Sequence, residues 1–185
     1  MRVSRRCALP LCFLAVLFPC AAQQFGKADS LAPYIPTPQV IVDRMLEAGR
    51  VKPGEMVYDL GSGDGRIVIT AAQKFGARAV GVELSEDLCR TTSARVKALG
   101  LEDRVTIVHG NLLKVDLRPA DVVTIYLLTS SNERLRPNLE KYLKPGARVV
   151  SNDFEIRGWK PAEVVKIAAG NTTHSIYVYE IGHRK

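Results

Sequence analysis

The amino-acid sequence predicts a doubly wound α/β domain, and three observations lead to that fold class. Short apolar segments alternate with longer segments whose apolar residues recur every three or four positions, as in buried strands and amphipathic helices. Glycine and proline separate these segments. The last two apolar segments follow each other with no helical segment between them, which predicts a hairpin. The expected architecture is a mostly parallel Rossmann-like sheet, covered by helices on both faces, with a C-terminal antiparallel β-hairpin.

The predicted elements follow in chain order. Strands are expected at 56–60, 79–83, 105–109, 122–128 and 147–151, and the hairpin pairs 162–168 with 175–181 around Gly170-Asn171-Thr172-Thr173. Helices are expected from Pro38, at 66–75, between Ser85 and Gly100, and at 132–143. Thr37 should cap the first helix, and Pro137 should fall in an early turn of the last. Parallel sheets of this kind bind ligands at the carboxyl ends of their strands.

Residues 1–22 differ from the rest of the chain. Three arginines and no acidic residue accompany an apolar run at 7–20, and small residues at 20–22 offer a cleavage point. The run is short and contains two prolines, whereas a membrane-spanning helix needs about 20 apolar residues. A secretory signal is the first interpretation; an uncleaved anchor and a mitochondrial presequence are the alternatives. We expect an exported or membrane-associated protein, periplasmic if bacterial, or a cytoplasmic one if the start is misassigned.

The remaining chain predicts a linker at 23–33 and one folded domain at 34–185. Formal net charge is +7, and residues 1–22 contribute three of those charges, leaving +4 for the rest. No basic run is interleaved with aromatic residues, so we expect no nucleic-acid partner. Cys89 is the only cysteine after residue 22, and no Cys/His cluster has the spacing of a metal site, so neither a disulfide nor a metal is expected. We expect a monomer.

A glycine-rich loop at 59–66, Asp-Leu-Gly-Ser-Gly-Asp-Gly-Arg, follows the first predicted strand. A dinucleotide fingerprint would need glycine where Arg66 stands, and a phosphate P-loop would need Gly-Lys-Ser/Thr. The glycines permit close backbone approach, and the next helix should offer free N–H groups. Asp59 and Asp64 should repel a diphosphate and attract an ammonium or a sulfonium. S-adenosyl-L-methionine carries both, and we expect it to contact Asp59 and the loop at 61–63.

Two further strand ends carry matching polar side chains. Glu83 ends the second strand, about where an acid accepts the two hydroxyls of a ribose. After the third strand, Asn111 could bind the edge of adenine and Leu112 could pack on its face. Each residue also has a simpler interpretation, because Asp59 could cap a helix, Glu83 could be a solvated strand end and Asn111 a turn residue. The three residues follow three successive strands in the order that a cofactor site of this kind requires. This order favours a cofactor site formed by Asp59, Gly61, Ser62, Gly63, Glu83, Asn111 and Leu112.

Several segments resemble class I methyltransferases. These are Tyr34-Ile-Pro-Thr-Pro38, Val57-Tyr-Asp-Leu-Gly-Ser-Gly-Asp-Gly-Arg-Ile-Val68, Val80-Gly-Val-Glu83, Thr124-Ile-Tyr-Leu-Leu128, and Ser151-Asn-Asp-Phe154 with Trp159. More narrowly, they are similar to the small family that includes mitochondrial lysine N-methyltransferases of the ATP synthase c subunit and of the adenine nucleotide translocase. The resemblance, which spans about Tyr34 to the C terminus, implies that Tyr34 and Thr37 close over the methionine end of S-adenosyl-L-methionine. Asn111 departs from the carboxylate usual in the family.

The acceptor side is less defined by sequence. Asp153, just after the fifth strand, is the first candidate for a carboxylate that orients an incoming amine, and Glu155 is the alternative. Tyr126 and Trp159 are candidate walls of that site. Equally, Asp153 could be a turn residue and Trp159 a core anchor for the hairpin. The three histidines, at 109, 174 and 183, have no evident partner at catalytic spacing and are expected to be structural or solvated.

Three functions are compatible with the sequence. The first is a protein-lysine N-methyltransferase acting on a membrane-associated substrate. The second is a methyltransferase acting on a small molecule such as a quinone or an amine. The third is a module that binds S-adenosyl-L-methionine without catalysis. Few residues lie outside the core fold, and an open site suits a protein side chain. The Asn-Pro-Pro-Tyr motif of amide and nucleobase N-methyltransferases is absent, which disfavours DNA and glutamine substrates.

Overall fold

The computed structural model describes residues 31–182, so the predicted leader at 1–22 and His183 lie outside the described residues. The chain forms a seven-stranded sheet with the strand order β3-β2-β1-β4-β5-β7-β6. The strands are β1 Met56–Leu60, β2 Arg78–Glu83, β3 Val105–His109, β4 Val122–Ile125, β5 Arg148–Asn152, β6 Glu163–Ala169 and β7 Thr172–Glu180. The helices are α1 Gln39–Ala48, α2 Arg66–Phe75, α3 Glu86–Ala98 and α4 Thr129–Tyr142, with a 3₁₀ turn at Leu112–Lys114.

The predicted fold class is confirmed. Strands β1 to β5 are parallel, and β7 and β6 add an antiparallel edge next to β5. Strand β1 is the middle one of the five parallel strands and pairs with β2 on one side and β4 on the other, which is the point where the strand order reverses. Ligands bind at this reversal in doubly wound sheets, because the connections there leave in opposite directions and open a crevice.

Two apolar cores hold the helices against opposite faces of the sheet. On one face, α1 contributes Ile41, Val42, Met45 and Leu46 to a core shared with α2 and with Val96 of α3. On the other face, Leu135 and Leu139 of α4 pack against strand residues such as Val123 and Val149. Burial on both sides explains why the central strands are almost continuously apolar. None of the helices found in residues 31–182 combines the length and apolar character needed to cross a membrane.

The predicted boundaries of β4 and α4 were wrong. β4 ends at Ile125, three residues early, and α4 begins at Thr129, so Pro137 lies well inside the helix. The backbone amides of Ser131 and Asn132 both bond to the carbonyl of Leu128, which starts the helix without a side-chain cap. Thr129-Ser130-Ser131 has low intrinsic helix propensity, and tertiary packing of the apolar face overrides it.

Two other local predictions need correction. Thr37 does not cap α1, whose N-cap position is Pro38 and has no side-chain cap bond. The hairpin turn is only Gly170-Asn171, with Gly170 at a φ of 61°, so Thr172 and Thr173 belong to β7 and pair with β6. The longer pairing places His174 inside β7, whereas the predicted strand began one residue after it.

Candidate functional site

A cleft with about 870 Å³ of empty space, partly open to solvent, lies at the carboxyl ends of β1 to β4. Ten of the residues predicted for the site line it: Tyr34, Thr37, Asp59, Gly61, Ser62, Gly63, Glu83, Asn111, Leu112 and Tyr126. Leu31, Ala32 and Pro33, which precede the predicted start of the domain, line it as well. Among the described residues, Asp153 lies outside this lining.

The glycine loop after β1 has left-handed backbone at Gly61, Gly63 and Gly65, with φ between 54° and 90°. Most backbone amides of this loop are paired within the chain. The amides of Gly61 and Ser62 bond to the carbonyl of Val82, that of Gly65 to Ser62, and that of Arg66 to Asp64. Phosphate-binding loops need such amides unpaired. The internal pairing therefore argues against a diphosphate ligand more directly than repulsion by carboxylates does.

Glu83 joins the end of β2 to this loop. Its Oε2 accepts a hydrogen bond of 2.9 Å from the amide of Gly63, and its Oε1 accepts one of 2.9 Å from the amide of Ser85. The carboxylate is held at the cleft by backbone on both sides, yet each oxygen keeps a lone pair. A ribose with two neighbouring hydroxyls can donate one hydrogen bond to each oxygen. The geometry of Glu83 therefore fits the predicted role.

Asp59 lies at the bottom of the cleft and is only 3% exposed. Thr124 of β4 donates a hydrogen bond of 2.7 Å to its Oδ1. Burial raises the pKa of Asp59 to about 7, with smaller contributions from the nearby carboxylates Glu83 and Asp64, while the bond from Thr124 lowers it. A bound cation would stabilise the ionised form. Asp59 can thus respond to the positive charge of a ligand that carries an ammonium and a sulfonium.

Asp64 does not present an uncompensated charge to the cleft, contrary to expectation. Arg66 holds its carboxylate through bonds of 2.9 Å from Nε and 2.6 Å from Nη2, and this contact lowers the pKa of Asp64. The same guanidinium donates from Nη1 to the carbonyl of Thr37 at 2.6 Å. No local pattern indicates this second contact, because the two residues are 29 positions apart.

Residues 31–37 form an N-terminal strap along the cleft, and all seven of them line it. Arg66 binds the Thr37 end, and the hydroxyl of Ser131 donates to the carbonyl of Leu31 at the other end. Between these attachments the ring of Tyr34 lies against Gly63, so closely that a Cβ added there would be 2.6 Å from Tyr34 Cε2. The strap is thus positioned to close over a bound ligand.

Asn111 and Leu112 line the cleft just after the end of β3. The Oδ1 of Asn111 accepts a 2.9 Å bond from the amide of Leu113 and starts the 3₁₀ turn, so its amide nitrogen remains as the group that can donate to a base. Ser62 can contribute only backbone atoms to the cleft, because its side chain points under β2. A Cβ added to Gly81 of β2 would come within 2.7 Å of Ser62 Oγ. Small residues are therefore required at Ser62 and at Gly81.

The acceptor side differs most from the sequence prediction. Trp159 does not line the cleft; its Nε1 donates to Glu140 at 2.9 Å and its ring packs edge-on against Tyr179, the anchoring role given as the alternative. Phe154, which sequence reasoning missed, lies with its ring centroid 6.1 Å from that of Tyr126. Glu155 is exposed.

Asp153 lies behind Tyr126 and has a partner that the sequence did not indicate. The Nδ1 atom of His174 lies 2.7 Å from Asp153 Oδ2, so the expectation of an unpartnered histidine was wrong. Burial and the neighbouring Asp153 together raise the pKa of Tyr126. The pairing escaped prediction because the expected hairpin began its second strand at residue 175 and left His174 outside that strand. His109 Nε2 lies 3.1 Å from the carbonyl of Leu84, a structural contact.

A sequence model of the family described as the ANTKMT methyltransferase domain matches residues 59–163, from the glycine loop to the start of β6. The chain belongs to this methyltransferase family. It is therefore an enzyme that uses S-adenosyl-L-methionine as methyl donor, in agreement with the geometry of Glu83 and Asp59 in the cleft.

Relatives of this ANTKMT-type chain extend the match across most of its length. It is 53% identical over 154 residues to a protein-lysine N-methyltransferase of Saccharolobus islandicus, covering 83% of this chain and 96% of the relative. It is 36% identical over 149 residues to the adenine nucleotide translocase lysine N-methyltransferase of Mus musculus, covering 80% and 63%. A solved structure of an RNA methyltransferase from Salinibacter ruber, in complex with S-adenosyl-L-homocysteine, matches with a TM-score of 0.77 and 43% identity, covering 82% and 96%.

A first prediction concerns the contact between the strap and the loop. We expect Gly63→Ala to weaken binding of S-adenosyl-L-homocysteine by about tenfold or more, equivalent to about 1.4 kcal/mol, because the added methyl displaces Tyr34. Gly100→Ala is the matched control, since Gly100 also has positive φ (63°) but its added Cβ meets nothing within 4 Å. Equilibrium dialysis measures both. Equal affinities would show that Tyr34 does not cover the ligand.

A second prediction concerns Asp59 and pH. Because its pKa is raised by folding, the unfolded chain releases the proton from about pH 4 while the folded chain retains it to about pH 7. The stability that this carboxyl contributes is therefore present at low pH and lost as pH rises toward 7. Urea unfolding of ligand-free protein should show Asp59→Asn gaining on wild type between pH 4 and 7, on the order of 3–4 kcal/mol in total. Parallel pH profiles would contradict the raised pKa.

Proposed function

We propose that this chain is a protein-lysine N-methyltransferase. The observation that carries the proposal is the 53% identity to the Saccharolobus islandicus protein-lysine N-methyltransferase, which extends over 96% of that relative. The mouse relative, named for lysine methylation of the adenine nucleotide translocase, supports the same acceptor chemistry. Asp153 and the tyrosine in front of it supply groups suited to an amine at the side of the cleft next to β4 and β5.

The bound donor supplies a methyl group already activated on a sulfonium. The residues of the chain then have to hold the donor, exclude water and present a neutral amine in line with the methyl. In this proposal Glu83 binds the ribose, Asp59 balances the positive charge of the donor, and the strap covers it. Asn111 and Leu112 hold the base.

A lysine side chain has a free pKa of about 10.4, so its ammonium must lose a proton before it can attack. Tyr126 lines the cleft and its ring is backed by that of Phe154, so the acceptor meets an aromatic surface that favours the neutral amine. Asp153 behind that wall attracts the cationic side chain during approach. Together these groups provide the acceptor chemistry that the proposal needs.

A membrane-associated protein substrate is part of the proposal. Tyr34 and Ile35 line the cleft yet are 53% and 57% exposed, and Leu128, next to the cleft residue Leu127, is also exposed. Exposed apolar side chains around an opening suit an acceptor presented at a membrane surface. The leader at 1–22 would bring the enzyme to that surface, as an exported or anchored monomer. If the start is misassigned, the enzyme acts from the cytoplasm.

RNA is the second candidate acceptor, because the Salinibacter ruber structure, 43% identical, is described as an RNA methyltransferase. Identity to the protein-lysine N-methyltransferase is higher, 53% against 43%, and this favours a lysine acceptor over RNA.

The test is a methyl-transfer assay with the full chain. Purified protein, methyl-labelled donor and a cell extract are incubated, and label is measured separately in protein, RNA and lipid or small-molecule fractions. We expect label in protein, recovered as methyllysine after acid hydrolysis. Label confined to RNA or to small molecules would contradict the lysine proposal, and so would donor binding without any label in protein.

Variants of the ribose acid provide the control for this assay. We expect Glu83→Ala to lower donor affinity by about tenfold or more and to reduce label in proportion, because two hydroxyl contacts are lost. Glu86→Ala removes an exposed acid three residues away, in the first turn of α3, and should leave label unchanged. Equal activity of the two variants would place the donor elsewhere.

A further inference from the structure

The loop after β5 fixes one carboxylate to the neighbouring strand. Asp153 is one of two non-glycine residues in the described chain with positive φ, at 60°. In this conformation its amide donates to the carbonyl of Ser175 at 2.7 Å, and its Oδ1 accepts from the amide of Ser175 at 3.0 Å. Left-handed backbone is uncommon for residues other than glycine, and here it turns the carboxylate back toward β7. One oxygen of Asp153 is thus committed to backbone.

The second oxygen is held by His174. This histidine is 8% exposed, and its Nδ1 lies 2.7 Å from Asp153 Oδ2. An ionised carboxylate can only accept, so Nδ1 must carry the hydrogen. The Nδ2 of Asn152 adds a longer contact of 3.3 Å to the same oxygen. With both oxygens engaged, Asp153 is not free to wrap around an incoming ammonium, which revises the direct contact expected from sequence.

Tyr126 is the member of this group that reaches the cleft. It lines the cleft, whereas Asp153 and His174 do not. Its ring centroid lies 6.1 Å from that of Phe154, the residue after Asp153, and the nearby Asp153 carboxylate helps to raise the pKa of Tyr126. A phenol can form a hydrogen bond with an ionised carboxylate only as the donor, and it has one hydrogen to donate. Its oxygen lone pairs then remain for a donor in the cleft. A free amine has N–H groups to donate and one lone pair that must point at the methyl.

We propose that His174 is a positioning residue, which acts through Asp153 to hold the Tyr126 hydroxyl as a hydrogen-bond acceptor for the substrate amine. The inference rests on the proposed function and deepens it. Tyr126 binds one N–H of the neutral amine and so directs the nitrogen lone pair toward the methyl. Asp153 accepts the hydroxyl hydrogen of Tyr126, so that the lone pairs of the phenol oxygen face the amine. His174 holds the Asp153 carboxylate in the orientation that this requires.

The experiment compares His174 variants in two backgrounds. His174→Asn places an amide Nδ2 near the position of the imidazole Nδ1, whereas His174→Gln places its Nε2 near the position of the imidazole Nε2. His174→Ala has no donor. In the wild-type background we expect His174→Ala to lower kcat about tenfold with unchanged affinity for S-adenosyl-L-homocysteine, and His174→Asn to recover kcat to within about threefold. Tyr126→Phe should lower kcat about a hundredfold. In the Tyr126→Phe background, His174→Ala should have almost no further effect on kcat.

The outcomes separate positioning from a structural role. Equal losses of kcat from His174→Ala in both backgrounds would overturn the proposal, because the effect would then not pass through the tyrosine. Equal kcat values for His174→Asn and His174→Gln would also overturn it, and this comparison replaces the first if His174→Ala does not fold. The assay uses the fraction that wild-type enzyme labels. Label in RNA would refute the lysine proposal alone, whereas lysine label with equal kcat losses would refute the role of His174 alone.

Discussion

The hydrogen bond between the Gly63 amide and Glu83 is the interaction on which the cleft depends. It joins the loop after β1 to the end of β2, and the same carboxylate accepts from Ser85 at the start of α3. A buried amide without a partner would be costly, so the bond holds the loop in its left-handed conformation. The loop then supports Tyr34 of the strap above it. A carboxylate with both oxygens anchored and both still able to accept is suited to a pair of neighbouring hydroxyls.

Charge is distributed in the cleft so that a cation is favoured and an anion is not. Asp59 is buried with a raised pKa, Asp64 is paired with Arg66, and most loop amides are occupied by carbonyls and carboxylates of the chain itself. A phosphate would find most amides of this loop paired and the Arg66 guanidinium bound to Asp64. The family of the chain, its fold and its methyl donor agree with this electrostatic arrangement.

Sequence reasoning was accurate where local physics decides the structure. The central strands, α2 with its terminating Gly76, and the Ser85 cap of α3 follow from periodicity, left-handed glycine and capping. The strand-end residues Asp59, Glu83 and Asn111 were placed correctly because parallel strands end at one edge. The failures involve long-range contacts: Ser131 with Leu31, Arg66 with Thr37, and His174 with Asp153. No local pattern encodes such pairs, and the last also required the register of the hairpin.

We expect the cleft between the glycine loop and Glu83 to bind S-adenosyl-L-methionine and not a dinucleotide. Titration calorimetry of the full chain with S-adenosyl-L-homocysteine and, in parallel, with a nicotinamide dinucleotide distinguishes the two. The first ligand should give saturable heat at one site per chain, and the second should give none. Saturable binding of the dinucleotide, with no heat from S-adenosyl-L-homocysteine, would contradict it.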